Sequence, residues 1–455
     1  MSSVLLIYPF LRRSLDRSRF RFPPLGIAYV AAGLRRAGHD VRLLDCTFLR
    51  REDALRAALA APADVIGVYS MATMAGDSLW FAERLRDGGA LLVAGGPLPT
   101  CEPEAFAGPF DVVVRGEAEQ TMPDVVAAYA GGADVAAVPG TASRRRGDGV
   151  AAGGVCRAPP REPARDLDTL PFPARDLLPN REYIAFGRRH YGFAITTVMS
   201  TRGCPFSCEF CSNVLFGGSY RARSPANVID EVEEALALGY DRISFADDVF
   251  TLDRDRVLGI CHEIGRRGLR FPWECLGRVD SFDEERAREM KRAGCFRVFF
   301  GIESGNDRVL RLMNKRTTTE QARRAVATAR AAGLQVGAFF ILCYPGESDE
   351  TVLDTLRLAT SLPLDYAGLT LPYPLPGTAL LDRVGGRVTH DWRPQQRLLF
   401  THALTYESDF SAAKMRFALF KGRVQVELRR RLGRLGPAAA RLFERPTDEL
   451  FRRMR

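Results

Sequence analysis

Cys204-Pro205-Phe206-Ser207-Cys208-Glu209-Phe210-Cys211 is the stretch that decides how this sequence is read. Its three cysteines follow an apolar run and a glycine, Ile195 to Gly203. A loop this short can aim three thiolates at one point. Three soft thiolates at one point suit an iron–sulfur cluster far better than a disulfide. Four cysteines would close a cube-type cluster; three leave one iron open to an outside ligand. The other cysteines (46, 101, 156, 261, 275, 295 and 343) are scattered, unlike the dense pattern of a small secreted disulfide scaffold.

Around this loop the chain alternates strand and helix signals. Ile195–Met199, Arg242–Ala246, Phe271–Leu276, Phe296–Ile302, Val336–Leu342 and Ala367–Leu371 are strand candidates. Ser224-Pro225 opens the first intervening helix, an N-cap followed by proline at the first helical position. Six βα units over residues 191–380 predict a partial (β/α)6 barrel. Chemistry on parallel barrels collects at the carboxyl ends of the strands, and the cysteine loop follows the first of them.

Upstream, residues 1–130 carry a second alternation: Val4–Tyr8, Val41–Asp45, Val65–Ser70, Leu91–Gly95 and Val112–Arg115, with a helix over Leu25–Arg36 ending at Gly38. This predicts a five-stranded, flavodoxin-like parallel sheet with helices on both faces, its ligands bound beyond the strand ends. The residues there are Tyr8-Pro9, Ser70-Met71, Gly95-Gly96-Pro97 and Gly116-Glu117. Gly95-Gly96 would let backbone approach something flat or bulky, or simply make tight turns. Residues 131–190 read as a connector: Arg144 to Gly149 as a hairpin turn, then Pro-rich segments suited to an extended linker with little core of its own. Residues 381–455 read as a helical extension. There Phe417, Phe420, Val424, Leu428, Leu432 and Leu435 form an apolar stripe, with Arg416, Arg423, Arg430 and Arg434 on other faces.

Composition sets the bounds. With 455 residues, 46% apolar and 26% charged, two or three domains with real cores are expected. No uncharged apolar run is long enough for a spanning helix, and the N-terminus lacks signal-peptide order, so a cytoplasmic protein is expected. The net charge of +9 equals that of Ser411–Arg455 alone, so the first 410 residues are near neutral. A whole-protein basic footprint for nucleic acid is absent. The basic tail is either a docked helix with a solvated side or a contact for an anionic or lipid surface.

The CxxxCxxC loop after the first strand of a βα series, with Phe210 before its last cysteine, resembles the radical S-adenosylmethionine (SAM) superfamily. The resemblance continues through Phe245-Ala246-Asp247-Asp248, Gly277-Arg278-Val279-Asp280, Phe300-Gly301-Ile302-Glu303-Ser304-Gly305 and Phe340–Glu347, and ends near Pro374–Thr378. Pro24-Leu25-Gly26, Gly95-Gly96-Pro97 and Arg115-Gly116-Glu117 look like the cobalamin-binding domain fused to many such enzymes. The branch includes methylases and the anaerobic magnesium-protoporphyrin ester cyclase type. None of the histidines at 39, 190, 262, 390 and 402 sits in a DxHxxG motif, so no histidine lower ligand is expected on cobalt. Cys343 stands where relatives usually have glycine.

The resemblance implies that Cys204, Cys208 and Cys211 ligate a 4Fe–4S cluster whose open iron takes SAM. Phe210 would pack near the adenine, Glu303 and Arg278 would contact the amino acid or ribose, and Asp247 would face the same cavity. Tyr8, Pro9, Leu25, Gly26, Ser70, Met71, Gly95, Gly96, Pro97, Gly116 and Glu117 would border the corrin. A C-methyltransferase working through a 5′-deoxyadenosyl radical and methylcobalamin is implied; its substrate is a small molecule that the resemblance does not name, and the basic tail points toward a lipid-like or anionic one. A flavodoxin or ferredoxin would supply electrons. A radical cyclase or rearrangement enzyme keeps the same cofactors. A methylthiotransferase would need Cys46, Cys101 and Cys156 to hold a second cluster. A corrinoid-binding sensor or electron carrier without turnover would leave the CxxxCxxC loop unused.

Overall fold

The computed structural model describes residues 1–10, 21–144, 154–212, 215–388, 406–432 and 435–454. Short β-branched runs form the strands of the first half: β1 (Ser3–Tyr8), β2 (Asp40–Asp45), β3 (Val65–Tyr69), β4 (Leu91–Gly95) and β5 (Val112–Val114). They are parallel in the order β2-β1-β3-β4-β5, the flavodoxin-like arrangement, with cores on both faces. The helix Leu25–Arg36 begins and ends at the residues expected from sequence.

The segment read as a linker behaves differently. Its strands β6 (Thr141–Arg144) and β7 (Val155–Arg157) extend the same sheet antiparallel beyond β5, making seven strands. The turn expected at Arg144 to Gly149 lies largely outside the described residues. Leu167, Leu170, Ala174, Leu178 and Tyr183 are buried, so the Pro-rich stretch has a packed apolar side. Proline removes donors without removing hydrophobic surface, which composition alone hides.

The second half holds β8 (Ile195–Val198), a small antiparallel pair of β9 (Thr201–Arg202) and β10 (Arg221–Ala222), then β11 (Arg242–Phe245), β12 (Trp273–Gly277), β13 (Cys295–Glu303), β14 (Gln335–Ile341) and β15 (Tyr366–Thr370). Six of these make one parallel sheet ordered β15-β14-β13-β12-β11-β8, the expected open barrel. Ser224 caps the first barrel helix, Pro225–Ala237, accepting from the Asn227 amide at 3.3 Å.

The basic tail is a pair of helices, Ala412–Arg431 and Gly436–Arg453, laid against the helix Asp349–Ser361 and β15. The buried face is not the expected stripe. Met415, Ala418, Leu419 and Gly422 turn inward with Lys421 and Gln425, while Phe420 is 58% and Leu435 72% exposed. Small residues decide this: Gly422 lies against Leu356 and Leu369, closer than a larger side chain allows. The fully buried Lys421 ammonium pairs with Asp448 of the second helix at 2.7 Å.

A buried polar seam joins the halves. Glu231 of the barrel accepts from Arg175, Arg223 and the Tyr29 hydroxyl. Tyr183 donates to Asp45 at 2.7 Å. Each partner comes from a different part of the chain, so these ties orient the two sheets.

Candidate functional site

The cysteine loop hangs between β9 and β10, whose pairing closes it. Gly203 has φ of +82°, and a Cβ there would lie 2.2 Å from the Ser219 carbonyl oxygen, so only glycine starts this loop. Asp247, at the end of β11, holds the entry: its Oδ1 accepts from the Ser200 amide at 2.6 Å and the Thr201 amide at 2.9 Å. Its Oδ2 takes the Ser200 hydroxyl, and Arg256 lies 3.7 Å away. The expectation that Asp247 faces the SAM cavity is therefore corrected: it is buried and committed to the loop's backbone. Nor does it cap the next helix, where Asp253 is the cap. Asp248 is the carboxylate near the thiols, and its charge adds to the shifts of Cys204 and Cys211.

Burial is the main cause of those shifts; it raises Cys204 and takes Cys211 to about 11, with neighbouring sulfurs contributing. Ligation requires thiolates, so cluster binding here must displace protons. Among the described residues no three His, Cys, Asp or Glu side chains stand at single-ion spacing. A four-iron cluster is larger than an ion and spans thiols that one ion could not. The donor set of three thiols on one closed loop fits such a cluster.

Apart from Tyr344, the loop's far side is fixed by residues outside the motifs quoted above. The Glu209 amide donates to the Met313 carbonyl at 2.9 Å, and the Leu380 amide donates to the Glu209 carbonyl at 2.9 Å. Asn314 Nδ2 donates to the Ser207 carbonyl at 2.8 Å. The Glu209 carboxylate accepts from the Tyr344 hydroxyl at 2.5 Å and pairs with Arg383 at 3.0 Å. No spacing rule links these positions in sequence.

Arg278 and Glu303 do lie beside the loop. The Arg278 guanidinium sits 3.5 Å from the Phe206 ring centroid and pairs with Asp280 at 2.9 Å. Glu303, at φ +69°, pairs with Lys315 at 3.1 Å. A Cβ on Gly301 would come within 2.4 Å of the Glu303 carboxylate and 2.9 Å of the Lys315 ammonium, so a side chain there would push on this pair. Phe210 packs on the cluster of Val309, Met313 and Tyr344, with the Lys315 ammonium 5.9 Å from its centroid. Alternating cations and anions around aromatic rings suit a zwitterionic amino acid carrying an adenine. Lys315 was not foreseen; a lone lysine carries no motif. Cys343 has φ of +61°, a left-handed conformation that accounts for glycine being the residue expected there.

Above the first sheet lies an open, largely apolar cleft. Gly26, Tyr69, Gly95, Gly96, Gly116 and Glu117 border it, with Leu6, Val93 and Met122 deeper in. A Cβ on Gly26, Gly95 or Gly116 would meet no atom within 4 Å, so these glycines leave room for a bulky guest. No histidine lines it. Tyr8, Pro9, Leu25, Ser70, Met71 and Pro97 are not on its wall; Tyr8 packs on Tyr69 beneath, 5.3 Å between centroids. The Ser70 hydroxyl is buried without a partner at the end of β3. The opposite wall is Met199, Arg202, Leu215 and Phe216, from the segments flanking the cysteine loop. Arg202 donates to Glu117 at 2.6 Å and Glu119 at 2.7 Å, and Arg221 also pairs with Glu117. Arg202, two residues from Cys204, thus borders one site and introduces the other. An open, apolar cleft floored by glycines and free of histidine suits the flat face of a corrinoid.

A parallel-sheet domain with such a cleft, facing a three-thiol loop on an open barrel, defines a class. Residues 198–359 match the radical SAM superfamily, and residues 15–126 match the B12 binding domain. The chain belongs to the radical SAM superfamily, in the branch bearing an N-terminal B12-binding domain. It is a radical SAM enzyme whose cofactors are a 4Fe–4S cluster, SAM and cobalamin.

A protein of Pyrococcus horikoshii, named an uncharacterized methyltransferase, is 34% identical over 383 residues, covering 82% of this chain and 81% of its own. The anaerobic magnesium-protoporphyrin IX monomethyl ester cyclase of Rubrivivax gelatinosus is 29% identical over 401 residues, covering 85% and 70%. The fold is shared with the radical SAM methyltransferase TsrM of Kitasatospora setae (TM-score 0.70, 21% identity, 84% of this chain and 74% of that one). It is shared also with the cobalamin-dependent enzyme OxsB (TM-score 0.75, 16% identity, 99% and 72%).

Proposed function

We propose that this enzyme methylates an unactivated carbon of a small or lipid-like molecule. One observation carries the reading: the corrin cleft is walled on one side by Met199, Arg202, Leu215 and Phe216, which bracket the cluster cysteines. When bound, the three cofactors supply a hydrogen-abstracting radical and a transferable methyl group. The chain's own part is positioning. Glu303, Lys315 and Arg278 grip the SAM amino-acid end, Phe206 and Phe210 offer aromatic faces, and Arg202 with Glu117 holds the cleft over the loop. The similarity to a protein named a methyltransferase supports this choice of reaction.

The test is anaerobic turnover of reconstituted enzyme with candidate substrates. Methylation yields S-adenosylhomocysteine together with 5′-deoxyadenosine, and a product heavier by one methyl group. Turnover giving 5′-deoxyadenosine alone, with substrate consumed, would refute it. Replacing Cys204, Cys208 or Cys211 with Ala is expected to abolish SAM cleavage while corrinoid binding survives.

The similarity to the magnesium-protoporphyrin ester cyclases supports a second reading, ring closure with the same cofactors, distinguished by an unchanged methyl count. A methylthiotransferase finds less support: Cys46 follows β2 and Cys156 lies on β7, the opposite edges of the seven-stranded sheet, so they do not share a site. No described helix is long and apolar enough to cross a membrane. We place the enzyme in a reducing cytoplasm. The outer face of helix Ala412–Arg431, with Arg416 and Phe420 exposed, is our candidate for peripheral contact with anionic lipid. Arg416→Glu with Phe420→Asp should abolish sedimentation with anionic liposomes; unchanged sedimentation would remove this contact.

A further inference from the structure

The cysteine loop has a back as well as a mouth. Its mouth is walled by the corrin cleft on one side and by Glu303, Lys315 and Arg278 on the other. Its back rests on the turn that follows the short helix Asp307–Leu312. Glu209, beside Cys208, donates its amide to the Met313 carbonyl, and Ser207, on the other side of Cys208, accepts from Asn314. Cys208 is therefore flanked on both sides by direct hydrogen bonds to this turn. Asn314 in turn accepts from Arg316 Nε at 3.2 Å, and Arg316 is exposed. The path from solvent to the cluster loop is two hydrogen bonds long.

That surface is basic. Arg308 and Arg311 lie three residues apart on the helix and so share a face, with Arg316 in the turn beyond, and all three are exposed. Arg308 donates to the Gly346 carbonyl and Arg316 to Asn314; among the described residues neither they nor Arg311 forms an ion pair with a carboxylate. Glu347 lies close enough to feel the Arg308 charge but is buried, and burial pushes its carboxyl up to about 7; three other nearby carboxylates are committed elsewhere. Asp307 accepts from the Thr319 amide at 2.8 Å, Glu209 pairs with Arg383 at 3.0 Å, and Asp409 pairs with Arg387 at 2.8 Å. What sets these three arginines apart is their place, on the turn that braces Cys208.

We propose that Arg308, Arg311 and Arg316 form the docking face for an acidic one-electron carrier protein of the flavodoxin or ferredoxin kind. The proposal rests on the radical SAM reading and adds the place where the electron enters. The exchange is simple: the carrier loses one electron, the cluster gains one, and no proton or bond moves. Positive charge beside the loop raises the encounter rate of a negatively charged donor and orients it toward Cys208. The mouth cannot serve this purpose once SAM and corrin fill it.

The experiment uses full-length enzyme with its cluster reconstituted. Arg308→Glu/Arg311→Glu is compared with the parent and with Arg181→Glu/Arg189→Glu, an equal charge change on the exposed side of helix Asn180–Tyr191. Cluster reduction by photoreduced flavodoxin is followed by stopped-flow absorbance, and binding of oxidised flavodoxin is measured by calorimetry. The docking variant is expected to lose about tenfold or more in second-order rate and in affinity at low salt, converging with the parent at high salt. Dithionite-driven SAM cleavage and the thermal midpoint should stay at parental values. Parental rate and affinity with flavodoxin, or an equal loss in the Arg181/Arg189 variant, would overturn the proposal. Failure of the parent to cleave SAM with dithionite would instead strike the underlying radical SAM reading.

Discussion

Replacing Arg202 with Met should separate the two halves of the site without touching a cysteine. The guanidinium is 4% exposed and reaches Glu117 at 2.6 Å and Glu119 at 2.7 Å, each 9% exposed. Burial alone would lower the Arg202 pKa, and Glu119 and Glu117 outweigh it, so the cation is held firmly. Glu117 keeps Arg221 after the substitution, but Glu119 loses its only charged partner among the described residues. Leaving one buried carboxylate unpaired costs about 3–5 kcal/mol. Methionine preserves most of the contact with the Tyr29 and Phe216 rings, so packing contributes little of that loss. Denaturant midpoints of the apo protein read the magnitude, and titration with cob(II)inamide or cobalamin reads the cleft. Arg202→Met/Glu119→Gln should recover most of the stability, because the stranded charge is gone, yet not the corrin affinity, because the clamp is gone. A loss below about 1 kcal/mol, or a double variant no better than the single, would refute the claim that this pair is charged and load the explanation onto packing instead.

Further outcomes follow from single contacts. Gly26→Phe projects into the open cleft and sits in a helix; corrinoid binding should fall by orders of magnitude in visible titrations while the thermal midpoint holds or rises. Asp247→Ala strands two buried amides and takes the carboxylate from beside Arg256, so iron incorporation should drop and stability fall by about 2–4 kcal/mol, measured by iron content and denaturant unfolding. The Glu347 carboxyl is raised by burial to about 7, despite bonds from the Tyr344 and Cys343 amides and from Thr351. The folded protein then keeps a proton that the unfolded chain has released, so this group lowers stability as pH rises from the ordinary carboxyl range to about 7. Glu347→Gln should flatten that slope and gain roughly 3 kcal/mol at pH 8; a parallel pH profile would contradict it.

Periodicity made the two sheets readable. Both parallel sheets bury their strands on two faces, so their strands stand out as apolar runs between helical segments, and the observed bounds differ by a residue or two. Of the antiparallel hairpin of β6 and β7 only the turn was legible, since strands of four and three residues are too short to show an alternation. The tail shows the opposite failure. Its Phe417-Phe420-Val424 stripe is a sound helical pattern, yet a second helix carrying Asp448 drew Lys421 inward and left Phe420 outside. Local sequence does not reveal which neighbour a helix will meet.

By itself the sequence determined the three-thiol loop, the parallel barrel beneath it and the glycine-bordered sheet before it. Each depends on neighbours along the chain: spacing within a loop, alternation along a strand, the absence of a Cβ. Only the tertiary structure decided that Asp247 serves the loop's backbone while Asp248 faces the thiols. Likewise, only the tertiary structure paired Glu303 with Lys315 and set Arg202 against Glu117 and Glu119. Asp247 and Asp248 lie in the loop after β11, where the course of the backbone sends them to different neighbours, and ion pairs between distant segments depend on where the sheets come to rest. These are properties of packing, and no window of sequence contains both partners.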